Sequence, residues 1–150
     1  MTRIDFYHDV DNKLQFACRL AAKAVEQNLR VLVFAPESSV ARKIDQLLWT
    51  WHDTGFLPHC NVRDPLAAET PVLMANDDAE LPHDQVLLNL HHEQPAFFSR
   101  FQRLIEIVAR DDADREPARL RYRFYRDRGY EIHRHDMGKP GAAPGTTSGD

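Results

Sequence analysis

Glycine is scarce in this sequence and falls late. The six glycines stand at 55, 129, 138, 141, 145 and 149, so the turns after the first two strand candidates hold none. A dinucleotide loop needs glycine where the backbone approaches pyrophosphate, and a P-loop needs Gly-x-x-x-x-Gly-Lys; neither motif is present. Cysteine is scarcer still. Cys18 and Cys60 share no close spacing, which excludes a disulfide framework and a Cys-x-x-Cys metal or redox site. Both are expected as reduced thiols of the core. There is no run of about eighteen apolar residues for a membrane span. The start, "MTRIDFYHDVDN", is a strand followed by acids rather than a basic segment followed by an apolar one, so no signal peptide is read and a cytoplasmic protein is expected.

Catalytic signatures are missing as well. Ser38-Ser39 sits at a helix start rather than in a Gly-x-Ser-x-Gly elbow, which points to N-capping instead of nucleophilic chemistry. His59-Cys60, His91-His92 and His133-x-His135 each invite a metal-ligand reading. None has the i, i+4 spacing of a zincin or pairs with a Cys-x-x-Cys, so they are read as surface or loop histidines, with no metal and no cofactor expected. Asp77, Asp78 and Glu80 fit a solvated turn. A small α/β enzyme would need a polar pocket with a perturbed titratable group, and no constellation in the sequence announces one.

What is present reads as one α/β domain over residues 1–137. The whole chain of 150 residues is 43% hydrophobic and 28% charged, ample for a buried core. "RIDFYH" (3–8) is a strand candidate. "DVDNKLQFACRLAAKAVEQN" (9–28) repeats Leu14, Ala17, Cys18, Ala21, Ala22 and Val25 at helical spacing. "RVLVFA" (30–35) is too apolar for a sheet with one wet face and fits a buried parallel strand. "SSVARKIDQLLWTW" (38–51) is amphipathic. "FLPHCNVRDPLAAE" (56–69) is irregular. "TPVLMAN" (70–76) and "DQVLLNL" (84–90) are strands joined by a hairpin-like spacer, "DDAELPH", and "RLIEIVA" (103–109) is another strand. A helix over 111–129 and a short strand over 130–135 complete the pattern. The fold class is a Rossmann-like open, mostly parallel sheet with helices on both faces and no glycine-rich phosphate loop. The tail 138–150, "GKPGAAPGTTSGD", lacks large apolar residues and is expected to be disordered.

Charge is unevenly placed. Between 115 and 134 seven arginines face three acids, a local +4 in a chain of −4 overall, which leaves −8 on the rest. Such an acidic body argues against a protein that coats DNA non-specifically. On a helical wheel Arg115, Tyr122, Arg123 and Arg126 lie within about 60° of Arg119, with Tyr125 at the border of this stripe. Leu120 and Phe124 form the expected core edge, and Arg121 and Arg128 read as solvated charges. Guanidiniums beside phenol rings suit a single strand of nucleic acid stacked on tyrosine, or an acidic peptide carrying an apolar side chain. The acidic body favours the peptide; direct nucleic-acid binding is the alternative. A second patch is apolar. Trp49 points away from the stripe formed by Val40, Ile44, Leu47, Leu48 and Trp51, and with Phe56, Leu57 and Pro58 it could anchor a protein partner.

These residues resemble a known family. "FYHD" after the first strand, "RVLVFA" in the second, "LLWTWHDTGFLPH" and "RLRYRFYRDRGYE" occur in the order and spacing of the chi subunits of bacterial DNA polymerase III holoenzyme, over about residues 2–137. The resemblance implies a non-catalytic subunit in heterodimer with the psi subunit of the clamp-loader assembly. It also implies binding to the acidic C-terminal tail of single-stranded DNA-binding protein, so that nucleic acid is contacted mainly indirectly and no membrane is involved. By position, Trp49, Phe56, Leu57 and Pro58 are the expected psi contacts. Arg115, Arg119, Tyr122, Arg123, Tyr125 and Arg126 are the expected tail contacts. Arginine stands at 115 and 123 where relatives carry lysine, which keeps the charge and changes the hydrogen-bonding fork.

Overall fold

Strand runs with no polar alternation need both faces covered, and the computed structural model, which describes residues 1–50 and 57–138, covers them. In chain order it has β1 (Arg3–Val10), α1 (Lys13–Glu26), β2 (Val31–Phe34), α2 (Ser38–Trp49), β3 (His59–Asn61), β4 (Val72–Ala75), β5 (Val86–Asn89), β6 (Arg103–Ala109), α3 (Asp112–Asp127) and β7 (Ile132–Asp136), with short 3-10 turns at Ala67–Glu69 and Phe98–Arg100. The strands form one sheet in the order β3-β4-β2-β5-β6-β1-β7, and every pairing is parallel.

Two cores lie on opposite faces of this sheet. Val31, Val33, Val86, Leu88, Ile105 and Ile107 pack against Phe16, Cys18 and Leu20 of α1 and Ile44 and Leu48 of α2. Ile4, Phe6, Leu32, Leu87, Leu104 and Val108 pack against Ala118 and Tyr125 of α3 and the ring cluster Phe97, Phe98 and Phe101. Both cysteines are free thiols, and burial pushes Cys18 up to about 12. No described helix is long and apolar enough to cross a membrane.

Several expectations change. The segment between β4 and β5 is not a hairpin: both strands run parallel to β2 and flank it. Residues 76–85 therefore cross the sheet, with Leu81 packed against the α3-side core. The stretch read as irregular contains β3, a three-residue edge strand on β4. Ser38 does not cap α2. The cap position is Glu37, whose side chain makes no capping hydrogen bond. At the end of α3, Gly129 takes φ 85° as expected of a helix stop. Of the tail read as disordered, Gly138 is ordered by its N–H donating to Asp136 at 3.0 Å; 139–150 lie outside the described residues.

Candidate functional site

Helix α3 begins where Asp111 accepts the Asp114 N–H at 2.9 Å. It is fixed to the sheet by Asp114, which takes the Lys13 ammonium at 2.9 Å and the Ala109 N–H at 2.7 Å. These anchors aim the arginine face. Arg115, Ala118, Arg119, Tyr122, Arg123 and Arg126 of α3 share one cavity of about 500 Å³ with Phe6, His8 and Asp9 of β1, Val108 of β6 and Arg134 of β7. Its floor is apolar, from Phe6, Val108 and Ala118. Tyr122 packs edge-on against Phe6 at 5.4 Å between centroids, and the Arg134 guanidinium stands 5.8 Å above the Tyr122 ring. Arg134, His8 and Asp9 were missed in the sequence because they come from other strands. The one available signal was Arg134 at the end of the same basic run.

The cations differ in freedom. Arg115 donates to Asp9 at 2.9 Å. Asp9 sits at φ 59°, where β1 bulges between Tyr7 and Val10. His8, 3.2 Å away, and Arg115 hold its carboxyl below the usual range. Arg119 only approaches Glu116, at 3.9 Å, and Arg126 pairs with its neighbour Asp127. Arg123 and Arg134 have no carboxylate within 4.0 Å among the described residues. The cavity therefore offers unneutralised guanidiniums around an apolar floor, which fits an anionic ligand bearing an apolar side chain.

Three readings of α3 are corrected. Tyr125 is fully buried and faces the sheet, so it is not part of the cavity. Arg121, expected in solvent, is equally buried. Leu120, expected in the core, is 63% exposed. The reason is Glu106, which stands buried on the α3 side of β6. It accepts Arg121 Nε at 3.0 Å, the Tyr125 hydroxyl at 2.6 Å and Asn89 Nδ2 at 3.0 Å. Burial, with the Glu106 carboxylate beside it, pushes the Tyr125 phenol far up. A carboxylate inside the sheet recruits the polar side of α3, and that turns Leu120 outward.

The second patch is only partly as expected. Trp49 is 53% exposed at the end of α2, its ring edge-on to His59 at 5.2 Å. His59 is held by Asp45 at 2.9 Å and donates to the Leu57 carbonyl at 2.7 Å. Trp49 borders a broad depression of about 1040 Å³ with Lys43, Gln46 and Leu47. Pro58 is exposed. Leu57 is buried in the α1/α2 core and is no docking residue. Phe56 lies outside the described residues.

The family model described as "DNA polymerase III chi subunit, HolC" matches residues 1–133. A DNA polymerase III subunit chi from Pseudomonas aeruginosa is 36% identical over 91% of this chain and 98% of its own length. Those of Haemophilus influenzae and Escherichia coli K12 are 30% and 25% identical over 83% and 79% of the chain, covering 87% and 82% of their own lengths.

Proposed function

From a chain that belongs to the DNA polymerase III chi subunit family, and so to the accessory apparatus of DNA replication, we propose a non-catalytic adaptor. It receives the acidic C-terminal tail of single-stranded DNA-binding protein in the α3 cavity and docks the psi subunit over Trp49 and Pro58, through which it joins the clamp loader. The observation that carries this reading is the convergence of Arg115, Arg119, Tyr122, Arg123, Arg126 and Arg134 around an apolar floor. Each exposed ion pair contributes about 0.2 to 1 kcal/mol, and one buried aromatic side chain about 1.5 to 3 kcal/mol. At their upper ends, in a preorganised cavity, these contributions reach about 8 kcal/mol, the micromolar range.

The test titrates a labelled acidic peptide ending in an aromatic residue, and a labelled single-stranded oligonucleotide in parallel. Peptide binding in the micromolar range is expected, weakened about two- to fivefold by Arg123→Ala, with little affinity for the oligonucleotide. Tight oligonucleotide binding without peptide binding would instead establish a direct single-strand binder.

A further inference from the structure

The end of β5 leads into a turn whose backbone is held from below. Asn89 accepts the His91 N–H at 3.0 Å and donates to the carbonyls of His91 and Glu93. Arg121 donates to the His92 carbonyl at 2.7 Å. The turn thus rests on the same buried network that orients α3. It presents two adjacent imidazoles toward Glu37, from the turn between β2 and α2.

Here the separations matter. His91 Nδ1 lies 3.5 Å from Glu37 Oε1, and His92 Nδ1 lies 3.8 Å from Glu37 Oε2. All three residues can offer donor atoms within 4.8 Å of one another. These gaps are too long for hydrogen bonds, which close to about 2.7 to 3.2 Å. They are near the spacing of donors that share one ion, since two ligands at about 2.0 to 2.1 Å in a tetrahedral shell stand about 3.4 Å apart. His91 Nδ1 is buried and has no hydrogen-bond partner. The Glu37 carboxylate is not spent on capping α2. The Arg121 charge beneath the turn is already matched by Glu106.

We infer that Glu37, His91 and His92 form a binding site for a divalent transition metal of the zinc class at the carboxyl end of the sheet. Two imidazoles and a carboxylate match the ligand preference of such ions. The ion ties the β2–α2 turn to the β5 turn. Three protein ligands leave a coordination position for water on the solvent side, where Glu37 and His92 are 49% and 55% exposed. The spacing of the histidines alone hides this site because Glu37 is distant in sequence.

The test uses the untagged full-length protein, treated with chelator and desalted, and titrates it with Co²⁺ while visible absorption and calorimetry are recorded. One equivalent is expected to bind with d–d bands and to be displaced by Zn²⁺, with Zn²⁺ raising the Tm. Glu37→Gln and His92→Ala, both at half-exposed side chains, should each weaken binding about 100-fold or more and remove the Tm gain, whereas His133→Ala should change neither. Absence of saturable binding would overturn the site. So would binding that survives both variants but is lost in Asp136→Asn, which would place the ion at the His8, Asp9 and Asp136 cluster.

Discussion

Glu106 decides more of this molecule than any apolar residue near it. Its carboxylate is fully buried, yet it meets a guanidinium, a phenol and a carboxamide, so most of its lone pairs are occupied. One Arg121 nitrogen, Nη2, remains buried without a partner. The arrangement is thus matched in charge and incomplete in hydrogen bonding. Removing one member leaves an uncompensated charge in the interior, which costs about 3 to 5 kcal/mol. Removing both charges relieves that penalty. Glu106→Gln and Arg121→Met are each expected to destabilise by about that amount in urea unfolding, while the double variant loses much less than their sum. Additive losses would mean that the pair acts as two independent contacts.

Helix α3 shows where the sequence was legible and where it was not. Its N-terminal acids, its arginine stripe and its glycine stop all follow from local chemistry, and the structure has them at Asp112 and Asp114, along Arg115 to Arg126, and at Gly129. Its orientation is non-local. The wheel places Leu120 and Phe124 at the core edge on hydropathy; Phe124 packs, partly buried, against the α3-side core, but Leu120 is exposed and the buried side is Ala118, Arg121 and Tyr125. The overlooked signal was an acid in the middle of "RLIEIVA", because a fully buried carboxylate requires a cation from a packed element. Apolar strand runs likewise identified β2, β4, β5 and β6. They could not tell a crossing connection from a hairpin, since both use a short polar spacer. Gly129 allows a local prediction. A Cβ there would meet nothing within 4 Å, so Gly129→Ala costs only the strain of φ 85°, about 1 kcal/mol. Denaturant midpoints should fall with no change of slope, and a larger loss would indicate that β7 is displaced as well.

On the molecule as a whole, Trp49 and the arginine cavity lie on opposite faces of the sheet, while the depression that Trp49 borders extends to Asp111 and Asp114 at the start of α3. The arginine cavity lies against α3 on one face, while Trp49 ends the α2 layer on the other. For the proposed adaptor, each of the two contacts has its own physics. Residues 115–134, which supply most of the cavity's cations, carry +4 against −8 on the remainder, so an anionic peptide is attracted locally while a long polyanion is repelled by the remainder. In the proposed function, weak single contacts become effective because many tails line one coated strand and raise the effective concentration. Raising salt from 0.1 to 1 M shortens the screening length from about 10 Å to about 3 Å. Peptide affinity should then fall by about tenfold or more, while a partner docked on Trp49 through apolar contact should keep its affinity. Equal salt sensitivity at both surfaces would show that the Trp49 face also works through charge, and Lys43 beside it would be the residue to change first.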